Sequence, residues 1–368
     1  MGDLLMKAAK LFLCAALMAA FAIGGFSQKR VSKRPAPSRP SGTWKPSSTP
    51  TRPSSARTAK VAIPKTANTT IGPGTGNLRL RAATDFDGDG KADLAIFRPS
   101  DRIWYINKSG GGASLTQFGS PSTDYITPGD YDGDGKADIS IFRNSDGTWW
   151  RMNSSNGAVS VVQFGAAGDE PVARDYDGDG KTDLAVVRRS NGTMTWWIQR
   201  SSDGQVTATQ WGASTDFTAP GDYDGDGKFD LSVQRPGTLP TDPAYFWTLT
   251  SSGAIQVVQW GTSKDIVVPG DYDGDGKTDY AVVREGATPN DNLVWWILKS
   301  SGGTTSIPFG NSGADYPVQN DYDGDGKTDL AVWRDTDGTW WIQPSGGGSA
   351  VTQWGSPSDY PIPTYDTH

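Results

Sequence analysis

Across 368 residues the chain carries 34 Lys and Arg, 41 Asp and Glu, one His and one Cys, a formal charge of −7. With Cys14 the sole cysteine, His368 the sole histidine, and Glu170 and Glu285 the only glutamates, a disulfide framework and Ser–His or Cys–His nucleophilic chemistry are excluded. The cations crowd the N-terminus, leaving 22 of them against 40 acids over residues 77–368, and a formal charge of −18 there repels nucleic acid phosphates.

Residues 1–27 read as a secretory signal peptide. Lys7 and Lys10 precede an apolar run from Leu11 to Phe26, with small-residue cleavage sites near Ala22 or Ser27. About 16 apolar residues fall short of the roughly 20 that cross a bilayer, so no transmembrane anchor is expected. Leu11, Phe12 and Leu13 before Cys14 also lack the small residue a lipoprotein signal wants. The expected location is secreted, at the cell surface or in the periplasm, where metal would take over the stapling role of disulfides. Residues 28–76 are rich in Pro, Ser and Thr, with ten Lys or Arg and no acid between Gln28 and Lys65. Such a stretch cannot bury enough apolar surface to fold, and it reads as a disordered basic linker. Its charge suits electrostatic contact with an anionic wall polymer or membrane surface.

Residues 77–368 hold six copies of one nine-residue acidic loop: Asp, aromatic, Asp-Gly-Asp-Gly-Lys, any residue, Asp. Position 1 is Asp85, Asp130, Asp175, Asp222, Asp271 and Asp321; position 3 is Asp87, Asp132, Asp177, Asp224, Asp273 and Asp323. Position 5 is Asp89, Asp134, Asp179, Asp226, Asp275 and Asp325, and position 9 is Asp93, Asp138, Asp183, Asp230, Asp279 and Asp329. Carboxylates at this spacing, with glycines that let the backbone curl, are what a hard cation needing six to eight oxygens demands. About six calcium sites are expected, with the backbone carbonyls of Lys91, Lys136, Lys181, Lys228, Lys277 and Lys327 as neutral ligands and their ammonium groups pointing outward. An EF-hand shares the first six positions but needs a bidentate Glu at position 12. Ile96, Ile141, Val186, Val233, Val282 and Val332 stand there instead, which puts a β-strand after each loop. Twenty-four of the 40 acids sit in these loops, so six divalent ions would bring the charge of the repeat region to about −6, ordinary for a soluble domain.

Between loops the second copy predicts four strands: Asp124 to Asp130, Ile139 to Arg143, Thr148 to Met152 and Val159 to Gly165. Four short strands in about 45 residues make one antiparallel blade, and the array predicts an all-β fold, a β-propeller of six four-stranded blades. A seven-bladed ring or an open β-repeat array are the alternatives. Aromatic pairs at the third strand, from Trp104-Tyr105 to Trp340-Trp341, imply that both faces of each blade are covered.

The aromatic-Gly pairs Phe118-Gly119, Phe164-Gly165, Trp211-Gly212, Trp260-Gly261, Phe309-Gly310 and Trp354-Gly355 precede the acidic loops or, last, their remnant. With the loops they resemble the FG-GAP and VCBS repeats, the family of the integrin α-subunit propeller. The resemblance covers about residues 77–368 and implies one calcium per loop, held between the first and second strands of a blade. The remnant Asp359 to Asp366 restarts a first strand, and it is expected to pair with the strand Asp93 to Arg98 and close the ring, in competition with Asn77 to Thr84.

Arg98, Arg143, Arg188, Arg235, Arg284 and Arg334 recur once per blade; a ring of cations could bind an acidic ligand, but each Arg is expected to pair with an equally repeated carboxylate among Asp124, Asp169, Asp216, Asp265, Asp315 and Asp359 and to pack on Trp. Blades 4 and 5 carry longer connections, Pro236 to Tyr245 and Glu285 to Leu293, on the end opposite the acidic loops. That end is the candidate surface for a protein or glycan partner. The expectation is a binding or adhesion module rather than a catalyst. A calcium-dependent lectin, or a glycosidase or lyase using Asp242 and Asp291, is the alternative.

Overall fold

A computed structural model describes residues 84–362. The expected signal peptide, the basic linker, residues 77–83 and residues 363–368 lie outside the described residues. Among those described there is no helix, and the strands form six four-stranded antiparallel sheets arranged as a six-bladed β-propeller.

Blade 2 shows the pattern. Its strands are Asp124–Ile126, Ile139–Arg143, Thr148–Met152 and Val159–Gln163, paired in chain order. The outer two are shorter than expected from sequence. In blades 2 to 6 the first strand ends four residues before the loop, and the fourth strand of blade 2 ends two residues before Gly165, which sits at φ 114°. The acidic loop joins the first and second strands. The second strand, Ile-Ser-Ile-Phe, is buried on both faces, whereas the fourth alternates exposed and half-buried residues and forms the outer edge.

The ring closes as the remnant predicted. Tyr360 and Pro361 pair with Phe97 and Ile96, and the Ile362 amide donates to the Ala95 carbonyl at 2.9 Å. The end of the repeat region thus supplies the first strand of blade 1; residues 363–366 of the expected segment lie outside the described residues. Each seam between neighbouring blades holds its own apolar cluster. The cluster between blades 6 and 1, with Leu94, Ile96, Trp333 and Trp340, is built like the other five.

The repeated aromatics follow from hydrogen bonding as well as area. Trp104, Trp149, Trp196, Trp295 and Trp340 are fully buried, and each indole donates to the carbonyl of the aromatic-Gly pair of its own blade, at 2.7–3.0 Å. The second aromatic of each pair is not buried in the same way. Tyr105, Trp150, Trp197, Trp247, Trp296 and Trp341 lie under Arg98, Arg143, Arg188, Arg235, Arg284 and Arg334, with each guanidinium 4.4–5.6 Å from the ring centre. The same arginines grip Asp359, Asp124, Asp169, Asp216, Asp265 and Asp315 at 2.7–2.8 Å. This ring of cations is therefore structural, stapling the first strand of each blade to the second.

Candidate metal centres

Each acidic loop is organised by its first carboxylate. Asp85 accepts the Gly88 amide on Oδ1 at 2.6 Å and the Gly90 amide on Oδ2 at 2.9 Å. The other five loops repeat this pair of bonds from the equivalent glycines. Gly88 and Gly90 sit at φ 79° and 86°, the left-handed region that a side chain resists, so the Asp-Gly-Asp-Gly alternation is a steric requirement of the curl.

The ninth carboxylate ties the loop to its blade. Asp93 accepts the Phe86 amide at 2.8 Å and the Ser109 amide at 2.7 Å. Ser109 belongs to the turn between the third and fourth strands, which folds over the loop. Ser154, Ser201, Ser251, Ser300 and Ser345 do the same in the other blades, at 2.6–2.7 Å. These serines were missed from sequence, although their recurrence in every blade was a legible signal.

Positions 1, 3 and 9 converge. In Asp85/Asp87/Asp93, Asp130/Asp132/Asp138, Asp175/Asp177/Asp183, Asp222/Asp224/Asp230 and Asp271/Asp273/Asp279, one oxygen from each residue lies within 4.8 Å of the other two, and a further acidic group of this kind brings the number to six. Positions 1 and 9 are buried and position 3 half-buried. Position 5 stands apart from this triad. Asp89 accepts the Lys91 amide at 3.0 Å and the Ser109 hydroxyl at 2.8 Å, an arrangement that Asp134 repeats with Lys136 and Ser154.

Whether a cation fits is decided by what the carboxylates lack. Oδ1 of Asp87, Asp224 and Asp273 is buried and has no hydrogen-bond donor. A buried, unsatisfied carboxylate oxygen is costly, and a cation at the triad would satisfy it. The donor set is all oxygen, which suits a hard cation and not a thiolate- or imidazole-seeking metal. Burial also raises the carboxyls above their ordinary range. It outweighs the amide bonds and pushes Asp93, Asp183 and Asp279 to about 6 and Asp230 and Asp329 to about 7. Asp85, Asp130 and Asp222 are raised for the same first cause.

The loops also touch one another. The amide at position 8 donates to the position-1 carbonyl of the preceding loop: Ala137 to Asp85, Thr182 to Asp130, Phe229 to Asp175, Thr278 to Asp222, Thr328 to Asp271 and Ala92 to Asp321, at 2.6–2.9 Å. These six bonds form a closed circle. The lysines take part, since Lys136, Lys181, Lys277, Lys327 and Lys91 lay their side chains beside Gly88, Gly133, Gly225, Gly274 and Gly324 of the preceding loop. Lys181 Nζ donates to the Asp132 carbonyl at 3.1 Å. Each of these side chains leaves its own loop, and its stem covers a neighbour.

The inserted connections run over residues 236–242 and 285–291, because the third strands begin at Pro243 and Asn292. Asp242 accepts the Leu239 amide and Asp291 the Thr288 amide, both at 2.8 Å, so each caps its own loop.

The FG-GAP-like repeat family matches residues 85–141 and 175–233. No curated protein sequence matches the chain. Among solved structures, virginiamycin B lyase from Staphylococcus aureus is similar at 12% identity and a TM-score of 0.42, over 75% of this chain and 83% of that one. A streptogramin B lyase aligns at 10% identity and 0.43, over 75% and 86%. The β-propeller domain of the Trilobed protease from Pyrococcus furiosus aligns at 12% and 0.34, over 66% and 83%. Likeness at this level says nothing of activity.

Proposed function

For a six-bladed ring carrying FG-GAP-like repeats, we propose a calcium-binding β-propeller that serves outside the cell as a binding module for a protein or glycan partner and catalyses nothing. The observation that carries the reading is the recurring triad, with a position-3 oxygen that lacks any donor in three of its copies, Asp87, Asp224 and Asp273. Asp85, Asp87 and Asp93 and their equivalents would hold the ion, with position 5 and the position-7 carbonyl completing the shell as the family resemblance implies. Bound calcium would supply charge neutralisation and crosslinking rather than Lewis-acid chemistry, because every triad is wrapped by backbone amides and a serine turn. The lack of any His or Cys over residues 84–362 supports a module without Ser–His or Cys–His nucleophilic machinery. No helix among the described residues is long and apolar enough to cross a membrane.

Extracellular calcium sites have dissociation constants of about 10⁻⁴ to 10⁻³ M, so at millimolar calcium each contributes roughly 0.4 to 1.4 kcal/mol. Six give about 2 to 8 kcal/mol, comparable with the net stability of a domain. Excess EGTA is therefore expected to lower the melting temperature sharply, and calcium but not magnesium at equal concentration to restore it. A melt indifferent to chelation sinks the metal assignment. A glycan array with and without calcium separates a sugar ligand from a protein one.

A further inference from the structure

Blade 1 departs from the repeat at one turn. Between the second and third strands, blades 2 and 6 use Gly147 and Gly338 at φ 72° and 71°, and a Cβ at either would collide with the backbone of Gly165 or Gly355. Blade 1 places Arg102 there at φ 63°. Its carbonyl still accepts the Phe118 amide at 3.0 Å, as Gly147 does from Phe164 and Gly338 from Trp354. The turn is thus the same, built with a side chain that its conformation disfavours.

Among the described residues no side-chain hydrogen bond or ion pair of Arg102 offsets that strain. The six repeated arginines are each clamped by an aspartate, whereas the Arg102 guanidinium has no hydrogen bond or ion pair among the described residues. Arg102 instead lines a cavity of 340 Å³ at the seam of blades 1 and 2, with Gln117, Phe118, Ile141, Arg143 and Trp150. At this end the seam lacks the indole bridge found in three others. Trp211, Trp260 and Trp354 each donate an indole N–H across their seams to the carbonyls of Trp247, Trp296 and Tyr105, at 3.1–3.2 Å, and Phe118 has no such donor.

The lining specifies a ligand. Arg143 is clamped by Asp124, and the Arg102 guanidinium, next in the chain to Asp101, is the cation of this lining without an ion pair, a planar fork suited to a carboxylate or sulfate. Phe118 supplies apolar surface, Trp150 adds to the lining with its ring under Arg143, and an open depression of this volume is at the lower end of clefts that hold small organic ligands. The acidic loops lie at the other end of five-residue strands, about 16 Å away. At physiological salt the Debye length is about 8 Å, so their charge does not bar an anion here.

We propose that the seam between blades 1 and 2 binds an acidic sugar, a uronate or a sulfated pyranoside, with Arg102 on the acid group and Phe118 against the ring. This deepens the binding-module reading by naming its ligand class. The test is calorimetric titration of the full chain with methyl glucuronide, methyl galactoside 6-sulfate, neutral methyl glucoside, and sodium sulfate and acetate. Binding of either acidic sugar, with the neutral sugar and the free anions at least tenfold weaker, is expected, and the stronger of the two identifies the acid. Arg102→Gly restores the residue that blades 2 and 6 use and relieves the left-handed strain, so it should fold with an equal or higher melting temperature and bind at least tenfold more weakly. Arg102→Lys should fall between. Failure of both acidic sugars to bind, free anions binding equally well, or an unaffected Arg102→Gly protein would overturn the proposal. Melts of the same samples in EGTA read the calcium assignment separately, so either conclusion can fail while the other stands.

Discussion

At the scale of single residues the loop carboxylates divide into those that build the loop and those that wait for an ion. Asp222 accepts three backbone amides and Asp230 two, so their removal unravels the curl. Asp224 Oδ1 is buried without a donor, so its charge is a burden until a cation arrives. Asp224→Asn is therefore expected to change sign with conditions. In EGTA its melting temperature equals or exceeds that of the native protein, whereas in millimolar calcium it is lower by about the one-site contribution of 0.4 to 1.4 kcal/mol. A loss of equal size in both conditions would show the residue to be structural. Burial of the ninth carboxylates gives a second expectation. Asp93, Asp183 and Asp279 at about 6, and Asp230 and Asp329 at about 7, hold protons more tightly folded than unfolded. Their contribution in the metal-free protein is largest at low pH and is lost as pH rises from about 4 to about 7. Melts in EGTA should fall between about pH 5 and pH 8, and calcium-saturated melts should not. A metal-free protein that gains stability over that interval contradicts the assignment.

Among the elements, the closing strand differs from its five equivalents in lacking covalent continuity with the blade it completes. Arg98 grips Asp359 at 2.8 Å, as Arg143 grips Asp124, yet residues 359–361 reach blade 1 from the far end of the repeat region. Asp359→Ala and Asp124→Ala remove the same local bonds, about 2 kcal/mol each after allowing for arginines a quarter exposed. Only Asp359→Ala is expected to raise hydrogen exchange at residues 356–362; equal protection in both variants would mean that closure rests on the apolar seam alone. Blade, loop and closing strand were legible beforehand because six copies multiply signals that are weak singly. A β-branched residue at position 12 or an Arg five residues past the last loop Asp means little once and much six times. What escaped was of two kinds. Ser109 and its equivalents sit in Ser- and Gly-rich turns that look like ordinary connectors, and only the fold lays them over the loop. Arg102 needed its backbone angle, since a lone Arg in a polar turn carries no mark that its position calls for glycine.

For the whole molecule, the circle of position-8 amides decides how the six sites answer calcium together. Each donor lies one residue before a ninth-position carboxylate and each acceptor is the carbonyl of a first-position one, so ordering a loop orders the partner its neighbour needs. Lysine stems laid across the preceding glycines add to the coupling. A repeat array joined only by chain neighbours can lose its end units first, whereas a ring whose blades 6 and 1 share a buried cluster has no end to fray. Unfolding should then be one transition that releases every ion. The derivative of unfolding free energy with the logarithm of calcium activity, divided by RT, counts the ions released, because each site bound only in the native state contributes through mass action. Near saturation it should approach six in the native protein and five in Asp224→Asn, with a single melting transition in both. A count near one, or a melt that splits into stages as calcium is withdrawn, would mean that the blades hold their ions independently and that the circle of amides follows the fold without coupling it.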